Sequence, residues 1–297
     1  MTEIKDIVRP PFQNYDIVVY FGCGLFSLPF LHHYVIKPFG ARFPHFSFGI
    51  GSPFADEAVS TLSLLFSVYL LGHLIAYAGS VIVEKTIDRA FGKMSSSILI
   101  ALVTPQRRLP TSIRSWVGRR IYVAFSKGKR FTSTIRTILL LPVSIGVAFS
   151  YLINCFGYFQ TRIPKSVFDK IRAKCVIEGY GRVSLHTKWY KALEHDVINN
   201  CPSATARMYN YLVISGVFRS LSIVFLASAW AELYYIIHYY VDGDRLVDAV
   251  MSDSPSKWSG FVNLAGFNFL FAFTITAYVK FARRYIEEAM FAFVLTK

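Results

Sequence analysis

Four ionisable side chains lie inside apolar stretches of this sequence and are the groups best placed to do chemistry. They are His73, Glu84, Arg219 and Glu232. A charged group in a hydrocarbon environment costs free energy, so it is kept where it pairs with another charge, lines a water-filled cavity or binds a ligand. One interpretation is a polar interior or permeation path lined by His73 and Arg219. Glu84 is expected at its inner mouth and Glu232 toward its outer mouth.

A structural interpretation of the same residues is the alternative. Arg219 can extend to the inner membrane interface or pair with Glu84, and His73 can hydrogen-bond to a neighbouring helix. His73 and Arg219 each lie about ten residues from the expected inner end of their segments, or about 15 Å at 1.5 Å per residue. We therefore expect the two side chains to share one depth in the membrane.

No signature of a catalytic or metal centre accompanies these residues. The sequence contains no HExxH, no GxSxG and no SxxK motif with its partner motifs. Its 7 histidines are scattered, and its 4 cysteines form no CxxC pair. We therefore expect no catalytic residues, no metal and no cofactor. A lipid-modifying membrane enzyme is the least favoured functional class.

The composition indicates that a membrane protein positions these side chains. Of 297 residues, 54% are hydrophobic and 17% are charged, against about 25% charged in soluble domains. A membrane-spanning helix needs about 20 mostly apolar residues. Four stretches meet this requirement: residues 16–36, 58–83, 208–238 and 260–279. We expect an all-α, multi-pass helical bundle in a membrane, namely the bacterial inner membrane.

A fifth apolar segment, residues 134–157, decides the predicted topology. It contains Pro142 and Gly146, which interrupt a regular helix. If the segment crosses, Lys and Arg divide equally between the two sides; otherwise 26 of them lie on one side and four on the other. Because positive residues concentrate on the cytoplasmic side, we expect a broken or re-entrant segment and both termini in the cytoplasm. An ordinary fifth span is the alternative.

Two basic segments, residues 84–133 and 158–207, lie in the cytoplasm in this topology. The first contains an amphipathic basic helix of the kind that lies at membrane surfaces. Its charged surface comprises Arg114, Arg119, Arg120, Lys127, Lys129 and Arg130. The second segment predicts short helices at 165–176 and 188–199. With a net charge of +14, this small helical domain is expected to contact anionic lipid of the inner leaflet, and a cytoplasmic protein or nucleic acid is a further candidate partner.

Small residues on one face of the second span predict close helix packing. Gly72, Ala76 and Ser80 recur every four residues, a spacing that lets helix backbones approach each other. We interpret this helix-contact face as support for a homo-oligomer.

These features favour an oligomeric channel or membrane-permeabilising effector that responds to a cytoplasmic signal. A chain with few spans generally encloses a pore only as several copies. The alternative is a membrane-anchoring subunit that binds a cytoplasmic protein, acidic lipid or nucleic acid through its basic surface.

Overall fold

The computed structural model describes residues 15–36, 53–85, 141–146, 148–149, 163–180, 189–242 and 259–295. The predicted basic surface from Arg114 to Arg130 and most of the 134–157 segment lie outside these ranges. Besides a short helical segment at 141–146, the described ranges contain six helices, labelled α1 to α6 in chain order. They are α1 (Asp16–Ile36), α2 (Pro53–Ala78, continued by the π-helical Gly79–Glu84), α3 (Lys165–Ile177), α4 (Trp189–Asn200), α5 (Pro202–Asp242) and α6 (Ser259–Leu295).

Four of these helices have the length and apolarity of membrane spans. They are α1, α2, α5 and α6, which confirms the prediction of an all-helical chain with four apolar helices of spanning length. Large apolar side chains point outward from α2 and α6, among them Leu62, Phe66, Leu74, Phe269 and Phe273. Such a surface is unfavourable in water but not against lipid chains, as expected of a multi-pass membrane protein.

The helices α5 and α6 are much longer than a membrane is thick. They contain 41 and 37 residues, or about 60 Å and 55 Å at 1.5 Å per residue, against about 30 Å of hydrocarbon. They pack side by side over much of this length, for example through the stacked rings of Phe218 and Phe281, 5.8 Å apart. Each therefore continues well beyond the apolar bundle at one end.

The continuations of α5 and α6 form a helical body with its own apolar core. Helices α3 and α4 pack against them, and Lys174 of α3 donates a 2.9 Å hydrogen bond to the Phe293 carbonyl near the end of α6. The two short helices lie within about a residue of their predicted bounds. The core of this helical body contains Ile163, Ile171, Cys175, Trp189, Leu193, Val197, Ala204, Met208, Ile286, Ala289, Met290, Ala292 and Phe293.

The helices α1 and α2 touch through two glycines. A Cβ added to Gly72 would lie 1.8 Å from the Tyr20 carbonyl oxygen, and one added to Gly24 would lie 2.0 Å from the Val68 carbonyl oxygen. Neither position has room for a side chain, because the obstacle is backbone. Gly72 of the predicted helix-contact face therefore packs within one chain, so its contact carries no information about other copies. Ala76 is also buried, whereas the Ser80 hydroxyl donates to the Tyr77 carbonyl of its own helix.

The described part of the 134–157 segment packs against the bundle with one face, whereas Leu141, Ile145 and Phe149 on its other side are exposed. Residues 141–146 are helical, and this stretch includes Pro142. Val143 belongs to the apolar cluster around Phe271, and a Cβ on Gly146 would meet the Phe271 ring at 2.3 Å. Whether the whole segment crosses the membrane stays a prediction.

Candidate functional site

One polar cluster joins all four long helices at the end of the bundle where α2 ends. Arg219 of α5 donates from Nη1 to Glu84 Oε1 of α2 at 2.6 Å. Its Nη2 lies 3.5 Å from the Tyr15 hydroxyl next to α1. The Tyr278 hydroxyl of α6 lies 3.5 Å from Glu84 Oε1. We call Tyr15, Glu84, Arg219 and Tyr278 the arginine cluster.

The position of Arg219 follows from a small residue on α2. A Cβ on Gly79 would lie 3.2 Å from Arg219 Cγ, a tight contact, so the lack of a side chain at Gly79 eases the approach of α5. The guanidinium then reaches Glu84 at the end of α2. The side chains of Arg219 and Glu84 are 16% and 39% exposed, so the ion pair lies at the edge of the apolar bundle. The pairing is the structural alternative that the sequence left open for Arg219.

His73 lies apart from the arginine cluster. Its ring stacks on Tyr20 of α1, with centroids 3.8 Å apart, and meets the edge of Tyr69 at 4.5 Å. It precedes Gly79, the neighbour of Arg219, by six residues, or about 9 Å along the helix. The expectation that His73 and Arg219 share one depth is therefore not met, because the arginine lies level with Gly79.

A second polar cluster surrounds Glu232 at the opposite end of the bundle. Glu232 is 2% exposed. Its Oε1 accepts hydrogen bonds from the Tyr34 hydroxyl of α1 at 2.6 Å and from Asn263 Nδ2 of α6 at 3.1 Å. The Tyr235 hydroxyl donates to the Tyr34 carbonyl at 3.1 Å. We call Tyr34, Glu232, Tyr235 and Asn263 the glutamate cluster.

The other carboxylate oxygen of Glu232 has a different environment. Oε2 is buried and has no hydrogen-bond partner among the residues that the structure describes. No Lys, Arg or His in the described ranges forms a salt bridge with this carboxyl group. A carboxyl held in an apolar bundle only by neutral donors is unusual, because an unpaired charge there is costly.

Phenylalanine rings separate the two clusters. Arg219 and Glu232 are thirteen residues apart on α5, or about 20 Å, which is most of the hydrocarbon thickness. Between them, ring centroids of Phe30 of α1 lie 6.0 Å from Phe225 and 5.9 Å from Phe267. Phe26 meets Phe225 at 5.9 Å. We call Phe26, Phe30, Phe225 and Phe267 the phenylalanine layer, and it leaves an apolar barrier between the polar ends.

Several small polar side chains within the apolar part of the bundle are turned toward their own helices. Ser222 and Ser228 donate to carbonyls one turn earlier in α5, and Thr274 and Thr276 do so in α6. Asn268 donates from Nδ2 to the Leu264 carbonyl. These bonds satisfy donors inside the membrane without help from a neighbouring helix.

Buried titratable groups in the helical body have packing roles. Burial raises the pKa of the Cys175 thiol to about 11, so it remains a neutral thiol in the core at physiological pH. Burial, with the nearby Glu194 carboxylate, raises the pKa of the Tyr190 hydroxyl well above its usual value. Glu194 accepts a hydrogen bond from Tyr285 of α6, which ties α4 to the long helix. Within the described ranges, no group of three or more His, Cys, Asp or Glu residues is arranged to hold a metal ion.

Several residues that contact the candidate site were not identified from the sequence. Tyr34 and Glu232 are 198 residues apart, and nothing in the local sequence around Tyr34 predicts that it contacts Glu232. Gly24, which contacts α2, and Gly79, which contacts Arg219, lie off the predicted small-residue stripe. Asn263 stands out in the sequence as a polar residue near the start of an apolar helix, but the sequence does not identify its partner.

Comparison with known proteins adds no family to these observations. The chain matches no known protein family, and neither curated proteins nor solved structures include a significant match to it.

Proposed function

We propose that this chain forms an oligomeric membrane channel or membrane-permeabilising effector that opens in response to a cytoplasmic signal. The arginine cluster is the observation that carries the proposal. It links one residue from, or next to, each of four helices of spanning length. A polar contact at the edge of an apolar bundle is a contact that a small displacement of the helices breaks, because each partner can then be hydrated.

The helical body supplies a way to move those helices. α5 has seventeen residues before Arg219, and α6 has seventeen after Tyr278, so each continues by about 25 Å into the body. Because both helices are unbroken, a ligand or partner that shifts α3 and α4 also shifts the arginine cluster. In this proposal the body and both termini are cytoplasmic, and the 134–157 segment is re-entrant.

The phenylalanine layer closes the path in the state described here. Apolar constrictions exclude water and ions until they widen. Only a small part of α1 and α2 is buried within one chain, and the outward faces of both helices are apolar. Such faces suit contact with lipid or with further copies. Anionic lipid of a bacterial inner membrane is the proposed environment, in keeping with the net charge of +14.

Ion flux from liposomes tests this function. Purified wild-type protein and Arg219→Leu are reconstituted, and leakage of an entrapped ion is followed. Loss of a closing contact worth about 1 kcal/mol is expected to raise basal leakage by about fivefold. Leu also suits the bilayer better than Arg, so the variant should remain folded.

Arg207→Leu is the matched control. Like Arg219, Arg207 of α5 pairs with a carboxylate: its Nε lies 2.6 Å from Oε1 of Glu288 on α6. The Arg207 side chain, however, is 58% exposed and lies in the helical body. This variant should leak no more than wild type. Liposomes that remain tight with folded Arg219→Leu would contradict the channel proposal.

A membrane-anchoring subunit is the second candidate, and one observation favours it. Ile177 at the end of α3 and Leu295 at the end of α6 are each 81% exposed. Both lie close to the Lys174–Phe293 contact at the far end of the helical body. Exposed apolar side chains at that end suit a protein partner. Tight liposomes in all variants would favour this function.

A further inference from the structure

We propose that the Glu232 carboxyl group is a proton-binding site inside the membrane bundle. A proton from water at the Tyr34 end of the bundle would bond to Oε2 and convert the carboxylate into a neutral carboxylic acid. No other bond forms or breaks. Proton binding at Glu232 does not depend on whether the chain conducts ions.

The absence of a counter-charge among the residues that the structure describes is the first argument. Glu232 is 2% exposed in an apolar bundle, where an isolated carboxylate is costly and a neutral acid is far less so. On the same helix, Arg219 is thirteen residues away, or about 20 Å. Its guanidinium is engaged by Glu84. The described contacts of Glu232 come from Tyr34 and Asn263, which are neutral donors.

The difference between the two oxygens is the second argument. Oε1 accepts two hydrogen bonds, which a carbonyl oxygen can do in either protonation state. Oε2 is enclosed and has no hydrogen-bond partner among the described residues. A metal cation needs several oxygen ligands and space around them, whereas a proton needs only the oxygen itself. The geometry therefore favours a proton over a larger cation.

Titratable side chains lie near Glu232 on α1 and on α5. From α1 there is Tyr34, whose ring contacts the His33 ring at 4.8 Å. From α5 there is Tyr235, whose ring lies 5.7 Å from Tyr234, and Tyr234 in turn contacts His238. α6 contributes the neutral Asn263, and no described residue of α2 hydrogen-bonds to the group. The histidines lie beyond the tyrosines, so an experiment must observe the carboxyl group itself.

Infrared spectroscopy of the reconstituted protein makes that observation. Wild type, Glu232→Gln and the control Glu288→Gln are compared in liposomes at pH 7 and over a pH series. We expect wild type and Glu288→Gln to show a protonated-carboxyl stretch at pH 7 that weakens as the pH rises. Glu232→Gln should lack this band, since Gln mimics the neutral acid without titrating.

Two further arms keep the test decisive. Tyr34→Phe retains the carboxyl group but removes the 2.6 Å bond to Oε1, so the band should shift in frequency. Varying Na⁺ at constant pH should leave the band unchanged. The proposal is overturned if folded wild type shows no band at pH 7 or if Glu232→Gln retains it. It is also overturned if Tyr34→Phe leaves its position unchanged, or if Na⁺ removes it and so identifies a metal-cation site.

Discussion

The arginine cluster and the glutamate cluster hold one carboxyl group each, at opposite ends of the same bundle, in different ways. Glu84 is paired with a guanidinium, and its side chain is 39% exposed. Among the described residues, Glu232 has only neutral hydrogen-bond donors, and it is 2% exposed. The arginine cluster therefore contains paired charges, whereas the Glu232 carboxyl group has no counter-ion within the described part of the chain.

The difference bears on what each cluster can do. A partly hydrated ion pair contributes little to stability and is easily broken, which suits a contact that opens and closes. A buried carboxyl group held by fixed hydrogen bonds changes its interactions mainly by gaining or losing a proton. The arginine cluster is thus suited to movement and the glutamate cluster to protonation.

The largest expected effect comes from disrupting the contact between α1 and α2. This contact matters for both clusters, because Tyr34 lies in α1 and Tyr15 lies next to it. Gly72→Leu places a side chain where a Cβ alone would be 1.8 Å from the Tyr20 carbonyl. We expect destabilisation by about 3 kcal/mol or more, at the upper end for overpacking. Thermal unfolding in detergent measures it, and both clusters should be lost together.

Gly266→Leu is the control for this change. A Cβ at Gly266 meets nothing within 4 Å, so the extra side chain should be accommodated at the lipid-facing surface. Wild-type stability of Gly72→Leu would mean that α1 and α2 do not pack as described, and the comparison between the clusters would lose its basis.

A smaller effect separates the clusters by the same chemical change. Tyr34→Phe removes a 2.6 Å bond to the buried Glu232 carboxyl, whereas Tyr15→Phe removes a contact of 3.5 Å to Arg219. We expect Tyr34→Phe to cost about 1–3 kcal/mol, because a buried acceptor loses a donor. Tyr15→Phe should change the free energy of unfolding by no more than about 0.5 kcal/mol. Equal losses in a denaturant titration would show that the two ends hold their carboxyl groups equally tightly.

Much of the fold was predictable because apolar length decides it. Four stretches of spanning length became α1, α2, α5 and α6, and the Lys165–Ile177 and Trp189–Asn200 helices follow local amphipathic pattern. The continuation of α6 from residue 280 to Leu295 was missed. Apolarity marks where a helix leaves hydrocarbon, but a helix can continue into water if another apolar core covers one face.

The candidate site was predictable only in its ionisable residues. The cost of charge in a membrane singles out Glu84, Arg219 and Glu232 from the sequence alone. Their partners depend on helix packing, and packing here depends on Gly24 and Gly79, whose neighbours are far away in sequence. Local sequence pattern does not fix how deep in the membrane a side chain lies, which is why His73 was expected at the depth of Arg219 and instead stacks on Tyr20, about 9 Å along the helix from Gly79.

The reversal potential in a planar bilayer tests most directly whether the two clusters line one path. Currents of Arg219→Leu are compared with those of Arg219→Leu combined with Glu232→Gln, in a salt gradient and over a range of bath pH. The account predicts that Arg219→Leu conducts with a reversal potential that depends on pH, and that this dependence is absent from the double variant because Gln does not titrate. A silent bilayer with folded Arg219→Leu, or the same pH dependence in both variants, would contradict it.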